Sequence, residues 1–336
     1  MTVYSVSLVY TQANPFALPC VIRYNKSKRK LFHVKHSVSL FEVTNHDKCR
    51  TPGFSSGKVR LSLLLRSYIG GLVLAKIIAI ANQKGGVGKT TTTVNLSAAL
   101  ALAGCRVLMV DIDPQGNATS GVGVDKRDVE PGQSAYGLLV GEHPVADMVR
   151  PTMLDKLFLL PSSIQLAGAE VELVNVMNRE NALKRRLAEV VEDYDFVLID
   201  CPPSLGLITI NALTAAHATL IPIQCEFYAL EGLSQLISTI QLVKRYLNPD
   251  LGIEGVALTM YDGRTNLSEQ VVADVRAHFK EKVYNTIIPR NVRLGEAPSH
   301  GLPIMLYDSK CLGAVTYQEL AQEVLQRNRE PGRMQA

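Results

Sequence analysis

The chain has 336 residues, 47% hydrophobic and 20% charged, which is the composition of an ordinary globular protein with a sizeable core. Its six cysteines are scattered and form no CxxC pair, so we expect reduced thiols, as in a cytosolic protein, rather than a disulfide framework. Residues 1–73 hold 11 Lys or Arg against 2 acidic residues, whereas residues 74–336 hold 24 against 29. This acidic body repels phosphate, so any nucleic-acid contact requires a local basic patch.

Residues 1–73 show neither a helical nor a strand period and include the polar run Lys26–Lys30. We predict that they form a poorly ordered basic extension. The mostly apolar segment 61–81 is interrupted by Arg66, and its end is needed as a strand, so a membrane span is not expected.

Beyond residue 73 the pattern becomes regular, with short apolar runs alternating with helical stretches. Strands are predicted at Lys76–Ala81, Arg106–Val110, Leu157–Leu160, Phe196–Ile199, Ala218–Ile223, Gly255–Thr259 and Val283–Ile288. Helices are predicted at Thr91–Ala103, Gly168–Met177, Ala182–Val191, Leu207–Ala215, Leu230–Tyr246, Ser268–Phe279 and Ala314–Gln326. This alternation predicts an α/β fold over residues 74–330, a mostly parallel twisted sheet with helices on both faces. Residues 331–336 are predicted to be a disordered tail.

A glycine-rich run follows the first of these strands and opens a helix, and it consists of Lys84, Gly85, Gly86, Val87, Gly88, Lys89 and Thr90. Glycines let backbone N–H groups approach phosphate oxygens, and the helix N-terminus adds positive potential. In such a loop the second lysine reaches the β- and γ-phosphates, and the following hydroxyl ligates Mg²⁺. The usual P-loop motif has glycine where this chain has Gln83, so the loop is a variant, and its first lysine is additional.

Carboxylates follow two other predicted strands. Asp200 ends an apolar run, as an aspartate holding Mg²⁺ through water would. Asp111 and Asp113 end another run, at the strand edge where open α/β sheets place ligands. Of these two, one could support the metal shell while the other orients the attacking water.

Five segments together resemble the ParA (Soj) family of chromosome-partitioning ATPases, which carry a deviant Walker A loop: KGGVGKTT, VDIDPQGNATSGVG, IDCPPSLGLITINAL, CEFYALEGLSQL and IPRNVRLGEAPSHG. The resemblance runs from about Lys76 to about Gln326 and implies the fold of a P-loop NTPase. It also implies ATP and Mg²⁺ as cofactors.

The resemblance assigns roles to individual residues. It implies that Lys84 reaches across a dimer interface to the other subunit's nucleotide, and that Asp113 activates water, so these two are the expected catalytic residues. It further implies a metal set of Thr90, Asp113 and Asp200. The implied nucleotide-binding residues are Lys84, Gly85, Gly86, Val87, Gly88, Lys89, Thr90, Thr91, Pro289 and Asn291. Arg264 and Arg293 match positions through which the family's ATP dimer holds DNA without sequence preference; from the residues alone they are ordinary surface arginines.

The implied function is an ATP-dependent switch. An ATP-bound homodimer coats double-stranded nucleoid DNA, and a ParB-type (Spo0J-type) centromere-binding partner triggers hydrolysis and release. The expected location is cytoplasmic and nucleoid-associated. The alternative is a membrane-surface regulator of the MinD type, which needs a C-terminal amphipathic helix, whereas residues 326–332 are polar and broken by Pro and Gly. A redox protein like the nitrogenase iron component is disfavoured by the context of Cys201 and Cys225.

The extension has a second interpretation, a misassigned start. Residues 31–36, LFHVKH, can be encoded by codons containing TGTTTCACGTGAAACA, the palindrome that the family's partner recognises. Gly70 and Gly71 can be encoded as a ribosome-binding sequence with Leu74 as a TTG start. We favour translated upstream DNA for residues 1–73, the other interpretation being a genuine basic arm that adds DNA affinity.

Overall fold

The computed structural model describes residues 75–141, 143–227 and 233–329, together with three short strands nearer the N-terminus. The chain divides into two units, Met1–Gly71 and Leu72–Ala336. In the first unit, β1 (Ser7–Val9), β2 (Cys20–Asn25) and β3 (Lys30–His33) form an antiparallel sheet that the sequence pattern did not predict. The rest of residues 1–73 lies outside the described residues, so the poor order of this extension stays a prediction.

The second unit is built on an eight-stranded sheet in the order β11-β10-β9-β4-β8-β5-β7-β6. All neighbouring strands are parallel except β6, which pairs antiparallel with β7. The strands are β4 (Lys76–Ile80), β5 (Val107–Asp111), β6 (Arg150–Pro151), β7 (Leu157–Leu160), β8 (Phe196–Asp200), β9 (Ala218–Gln224), β10 (Gly252–Tyr261) and β11 (Val283–Pro289).

Helices connect these strands and cover the sheet. They are α1 (Lys89–Leu102), α2 (Asn117–Gly121), α3 (Ala135–Val140), α4 (Val145–Met148), α5 (Leu166–Glu172), α6 (Ala182–Leu187), α7 (Leu207–Ala215), α8 (Leu233–Tyr246), α9 (Asn266–Phe279), α10 (Val292–Glu296), α11 (Ile304–Tyr307) and α12 (Leu312–Arg329). Within the residues that the structure describes, none of these helices has the length and apolar character needed to cross a bilayer.

The sheet is buried on both faces, as β4 shows. Ile77 and Ala79 belong to one apolar cluster, which α3 to α9 complete, and Ile78 and Ile80 belong to a second one, which α1, α11 and α12 complete. Successive side chains of a strand point to opposite faces, so a strand covered on both sides is apolar throughout. The predicted α/β fold, with helices on both faces of a mostly parallel sheet, is confirmed.

All seven predicted strands are present, but two helix predictions were too long. The helix predicted over Gly168–Met177 ends as α-helix at Glu172 and continues as a 3₁₀ turn, Leu173–Asn175. Val171 and Met177, two apolar residues of the predicted span, are 74% and 87% exposed. The helix predicted over Ala182–Val191 ends at Leu187.

Other predictions differ at their edges or reach residues outside the description. Strand β6 was missed because two residues, one of them proline, carry no period. Helix α8 is described from Leu233, so the predicted start at Leu230 lies outside the described residues, as does the predicted tail, residues 331–336.

Candidate nucleotide and DNA sites

The glycine-rich loop joins the C-terminal end of β4 to the N-terminus of α1, as predicted. Gly86 and Gly88 have φ angles of 74° and 87°, in the left-handed region that side chains with a Cβ rarely adopt. Gly88 also lies against the side chain of Thr259, 3.8 Å from where a Cβ would be. The glycines are therefore needed for the path of the backbone into the helix.

Two neighbouring strands hold this loop in place. The Thr259 hydroxyl on β10 donates to the carbonyl of Val87 at 2.9 Å. The side chain of Asn82 donates to the carbonyl of Pro222 on β9 at 2.7 Å and accepts from the N–H of Lys84 at 3.1 Å. Because these partners are more than 100 residues away in sequence, the sheet itself fixes the shape of the loop.

The two lysines of the loop are in different situations. Lys89 is only 7% exposed, and its ammonium donates to the backbone carbonyl of Lys84 at 3.0 Å, so it spans the loop from inside. Burial lowers the pKa of Lys89, and the nearby Asp200 carboxylate opposes that shift. Lys84 is half-buried, and no acceptor for its ammonium is found among the described residues.

Asp200 at the end of β8 is fully buried and meets the start of α1. Its two carboxylate oxygens accept hydrogen bonds from the hydroxyls of Thr90 and Thr93, each at 2.8 Å. Burial raises the pKa of Asp200, and the charge of Asp111 on the neighbouring strand raises it further. The structure thus brings Lys89, Thr90 and Asp200 together.

The two carboxylates at the end of β5 make different contacts. Asp111 is fully buried and accepts from the backbone N–H and the hydroxyl of Thr119, both at 2.7 Å, and from the N–H of Asp113 at 3.1 Å. Asp113 is 8% exposed, and it accepts from the N–H of Gln115 at 2.9 Å through one oxygen. Asp111 therefore holds the turn, which leaves Asp113 as the carboxylate available to a ligand.

This donor set fits a divalent cation beside a phosphate. Hydroxyl and carboxylate oxygens are the ligands that Mg²⁺ prefers, and Thr90, Asp113 and Asp200 supply them. Asp111 and Asp200 are paired in register on neighbouring strands, and both have pKa values raised by burial. A cation at this edge would favour the charged form of these crowded acids.

Two further predicted residues lie at the end of β11 and at the start of α10. Pro289 ends β11, and the side chain of Asn291 caps α10 by accepting from the N–H of Arg293 at 2.9 Å. Thr91 lies in the first turn of α1. Within the described residues, neither Pro289 nor Asn291 hydrogen-bonds to residues 84–91, so their part in binding a nucleotide stays a prediction.

Arg264 and Arg293 lie on the segments after β10 and β11, residues 262–265 and 290–296, which we call the arginine segments. Because β10 and β11 are parallel neighbours, both segments follow strands at the sheet edge that also carries the phosphate loop. Arg264 forms a fork with Asp262, with Nε at 2.8 Å from Oδ1 and Nη2 at 2.6 Å from Oδ2. This hydrogen bonding lowers the pKa of Asp262 to about 2. Arg293 pairs with Glu296 at 2.9 Å.

Sequence reasoning missed Asn82, Thr93 and Thr259, which support the phosphate loop, and Thr119, which holds the turn after β5. The first three contact residues more than 100 positions away, and Thr119 also contacts a residue 43 positions away. A hydroxyl or amide alone carries no signal of such a contact. A hint existed only for Thr93, which lies one helical turn after Lys89 and therefore on the same side of α1.

The fold and the site together define a P-loop nucleotide-binding protein with a variant loop. A family model described as an AAA domain matches residues 75–253. The sporulation initiation inhibitor protein Soj of Bacillus subtilis is 61% identical over 251 residues, which cover 75% of this chain and 98% of that protein. The chromosome partitioning protein ParA of Myxococcus xanthus is 54% identical over 263 residues, covering 78% and 92%.

A solved structure has a similar fold. The structure of cobyrinic acid a,c-diamide synthase from Mycobacterium smegmatis with bound ATP analog and magnesium has a TM-score of 0.66 and 41% identity, covering 75% of this chain and 95% of that one. The chain belongs to the ParA/Soj family of chromosome-partitioning ATPases.

Proposed function

We propose that the protein is an ATP-dependent switch for chromosome partitioning. ATP binds at the phosphate loop, with Lys89 at its β- and γ-phosphates and the N–H groups of the glycine loop around them. Mg²⁺ supplies Lewis-acid stabilisation of charge on the phosphate oxygens when bound. Thr90, Asp113 and Asp200 would hold it, and Asp113 would also orient the attacking water.

The observation that carries this proposal is the difference in hydrogen bonding between the two lysines of the phosphate loop. The ammonium of Lys89 donates to the backbone of its own loop, whereas the ammonium of the half-buried Lys84 has no acceptor among the described residues. A second ammonium is not needed to hold one nucleotide in one chain. Reaching the nucleotide of a second copy would neutralise the phosphate charge of two sites that face each other, and it would make the dimer depend on ATP.

The output of the switch is proposed to be DNA binding by the dimer. The body of the chain is acidic overall, so one copy has little attraction for DNA. A dimer doubles the contribution of Arg264 and Arg293, and affinity rises with each phosphate contacted. A ParB-type centromere-binding partner would stimulate hydrolysis and so release the protein from the nucleoid within the cytoplasm.

The last described helix gives no support to the MinD-type alternative. That alternative needs an apolar helix face free to enter a lipid surface. In α12, Tyr317, Leu320, Ala321 and Val324 are at most 1% exposed and belong to the apolar cluster under α1.

The test is binding of the full chain to duplex DNA of unrelated sequences with ATP, with ADP and without nucleotide, alongside sedimentation. We expect a dimer and DNA binding with ATP only. A chain that stays monomeric with ATP, or that binds DNA equally in all three states, would contradict the proposal. Binding to anionic vesicles instead of DNA would favour the MinD-type alternative.

A further inference from the structure

Every arginine of the arginine segments is paired with a carboxylate. Arg264 forms a fork with Asp262, and Arg293 pairs with Glu296. The Nε of Arg293 also lies 3.7 Å from Asp308, and Arg290 donates to Glu226 at 2.8 Å. Three guanidinium groups therefore face four carboxylates, so the charge of these arginines is fully compensated within a single folded chain.

The pairs of Arg264 with Asp262 and of Arg293 with Glu296 are accessible to solvent, and each acid is fixed by a further hydrogen bond. The side chain of Arg264 is 85% exposed, whereas that of Asp262 is 21% exposed, so the acid lies beneath and the guanidinium lies outside. The Asp262 carboxylate also accepts from the N–H of Arg264 at 3.1 Å, which fixes the acid in the turn. Glu296 is fixed in a similar way by the hydroxyl of Tyr307 at 3.1 Å.

We propose that Asp262 and Glu296 compete with DNA phosphate for Arg264 and Arg293, and thereby keep the DNA affinity of a single chain low. Exposed ion pairs are individually weak, so a phosphate can replace the carboxylate. The displaced acid stays nearby because the turn holds it, and its charge repels the incoming phosphate. Binding then requires many simultaneous contacts, which two copies in a dimer provide. This inference rests on the proposed DNA binding and adds its regulation.

The test replaces each of the two acids by its amide, which removes the negative charge and keeps the shape of the side chain. Asp262→Asn leaves Oδ1 to accept from the turn, and Glu296→Gln leaves an acceptor for Tyr307. In the full chain we expect each change to raise affinity for duplex DNA by about threefold per subunit at moderate salt, the size of one like-charge repulsion through water. The double variant should bind DNA measurably even with ADP. The salt dependence should steepen, because no freed carboxylate takes up a cation when DNA binds.

The chain supplies a matched control in Asp125 and Arg127. Their fork has the same spacing, with Nη2 at 2.6 Å from Oδ2, and Arg127 is also 85% exposed. This pair follows α2 and β5, and three strands separate β5 from β10 in the sheet. We expect Asp125→Asn to leave DNA affinity unchanged; an equal rise there would show a general charge effect and overturn the inference.

Two outcomes separate this inference from the proposed function. If Arg264→Ala weakens DNA binding while Asp262→Asn leaves it unchanged or also weakens it, the acid positions the arginine or is neutral, and only the inference fails. If the parent chain does not bind DNA with ATP, the proposed function fails. Thermal unfolding of each variant verifies that the fold is retained.

Discussion

The phosphate loop and the arginine segments follow strands of one sheet at the same edge, yet they are held in opposite ways. Thr90 is hydrogen-bonded to Asp200 across 110 residues of sequence, and both Asp200 and the neighbouring Lys89 are buried. Arg264 and Arg293 are tied to acids two and three residues away and are exposed. Chemistry on phosphate needs fixed geometry, whereas DNA binding without sequence preference needs only charge that can change partners.

If the phosphate loop is a site of fixed geometry, removing one of its central contacts should abolish nucleotide binding. Lys89→Ala removes a buried ammonium that spans the loop, and we expect nucleotide binding to fall below detection, at least about 100-fold. Equilibrium binding of a fluorescent ATP analogue measures this. Lys244→Ala, at the C-terminal end of α8, is the control with the same loss of charge, and retained binding in Lys89→Ala would refute the assignment.

The hydrolysis step should depend on Asp113 in particular. Asp113→Ala keeps Thr90, Asp200 and the loop, so ATP should bind, whereas orientation of the attacking water should be lost, with a rate decrease of about 10² to 10⁴. The variant should remain as the ATP dimer on DNA. Phosphate release measured with DNA present tests this, and a parental rate would remove Asp113 from its role.

Lys84 should separate nucleotide binding from dimer formation. Because no described residue accepts a hydrogen bond from its ammonium, Lys84→Ala should bind ATP as well as the parent does. If that ammonium serves a second copy, the variant should stay monomeric with ATP. Sedimentation at several protein concentrations measures this, with Lys84→Arg as the charge-retaining comparison. An ATP-dependent dimer of Lys84→Ala would contradict the cross-dimer role.

The contrast explains how much of the site could be predicted from the sequence. Local motifs marked Lys89, Thr90 and Asp200, because glycine spacing and an apolar run before an acid are visible within ten residues. The choice between Asp111 and Asp113 was not visible in the residues alone, since it depends on Thr119 folding back onto Asp111. The acids that pair with Arg264 and Arg293 are only two and three residues away in the sequence. Whether such neighbours form ion pairs, and how exposed those pairs are, cannot be predicted from their spacing.

The buried hydrogen bonds beneath the phosphate loop can be tested by measuring the free energy of unfolding. Thr93 is fully buried and donates to Asp200, so Thr93→Val leaves a buried carboxylate oxygen without that partner and should lower the free energy of unfolding by about 1–3 kcal/mol. Ser97 lies one turn further along α1, and its buried hydroxyl has no partner among the described residues. Ser97→Ala should therefore change stability little. Equal denaturation midpoints for the two variants would contradict the buried network.

The arginine segments should give the smallest and most graded response. Arg264→Ala and Arg293→Ala remove exposed charges outside the enclosed site, so ATP binding and dimer formation should persist. DNA affinity should fall for all sequences alike, because contacts to phosphate carry no sequence information. Each variant removes two phosphate contacts per dimer, and the slope of log K against log salt should become shallower by about two. Fluorescence anisotropy across a salt series measures this slope, with Arg127→Ala as the matched loss of an exposed, acid-paired arginine. A weaker affinity with an unchanged slope would mean that Arg264 and Arg293 act through the shape of their segments and not through phosphate.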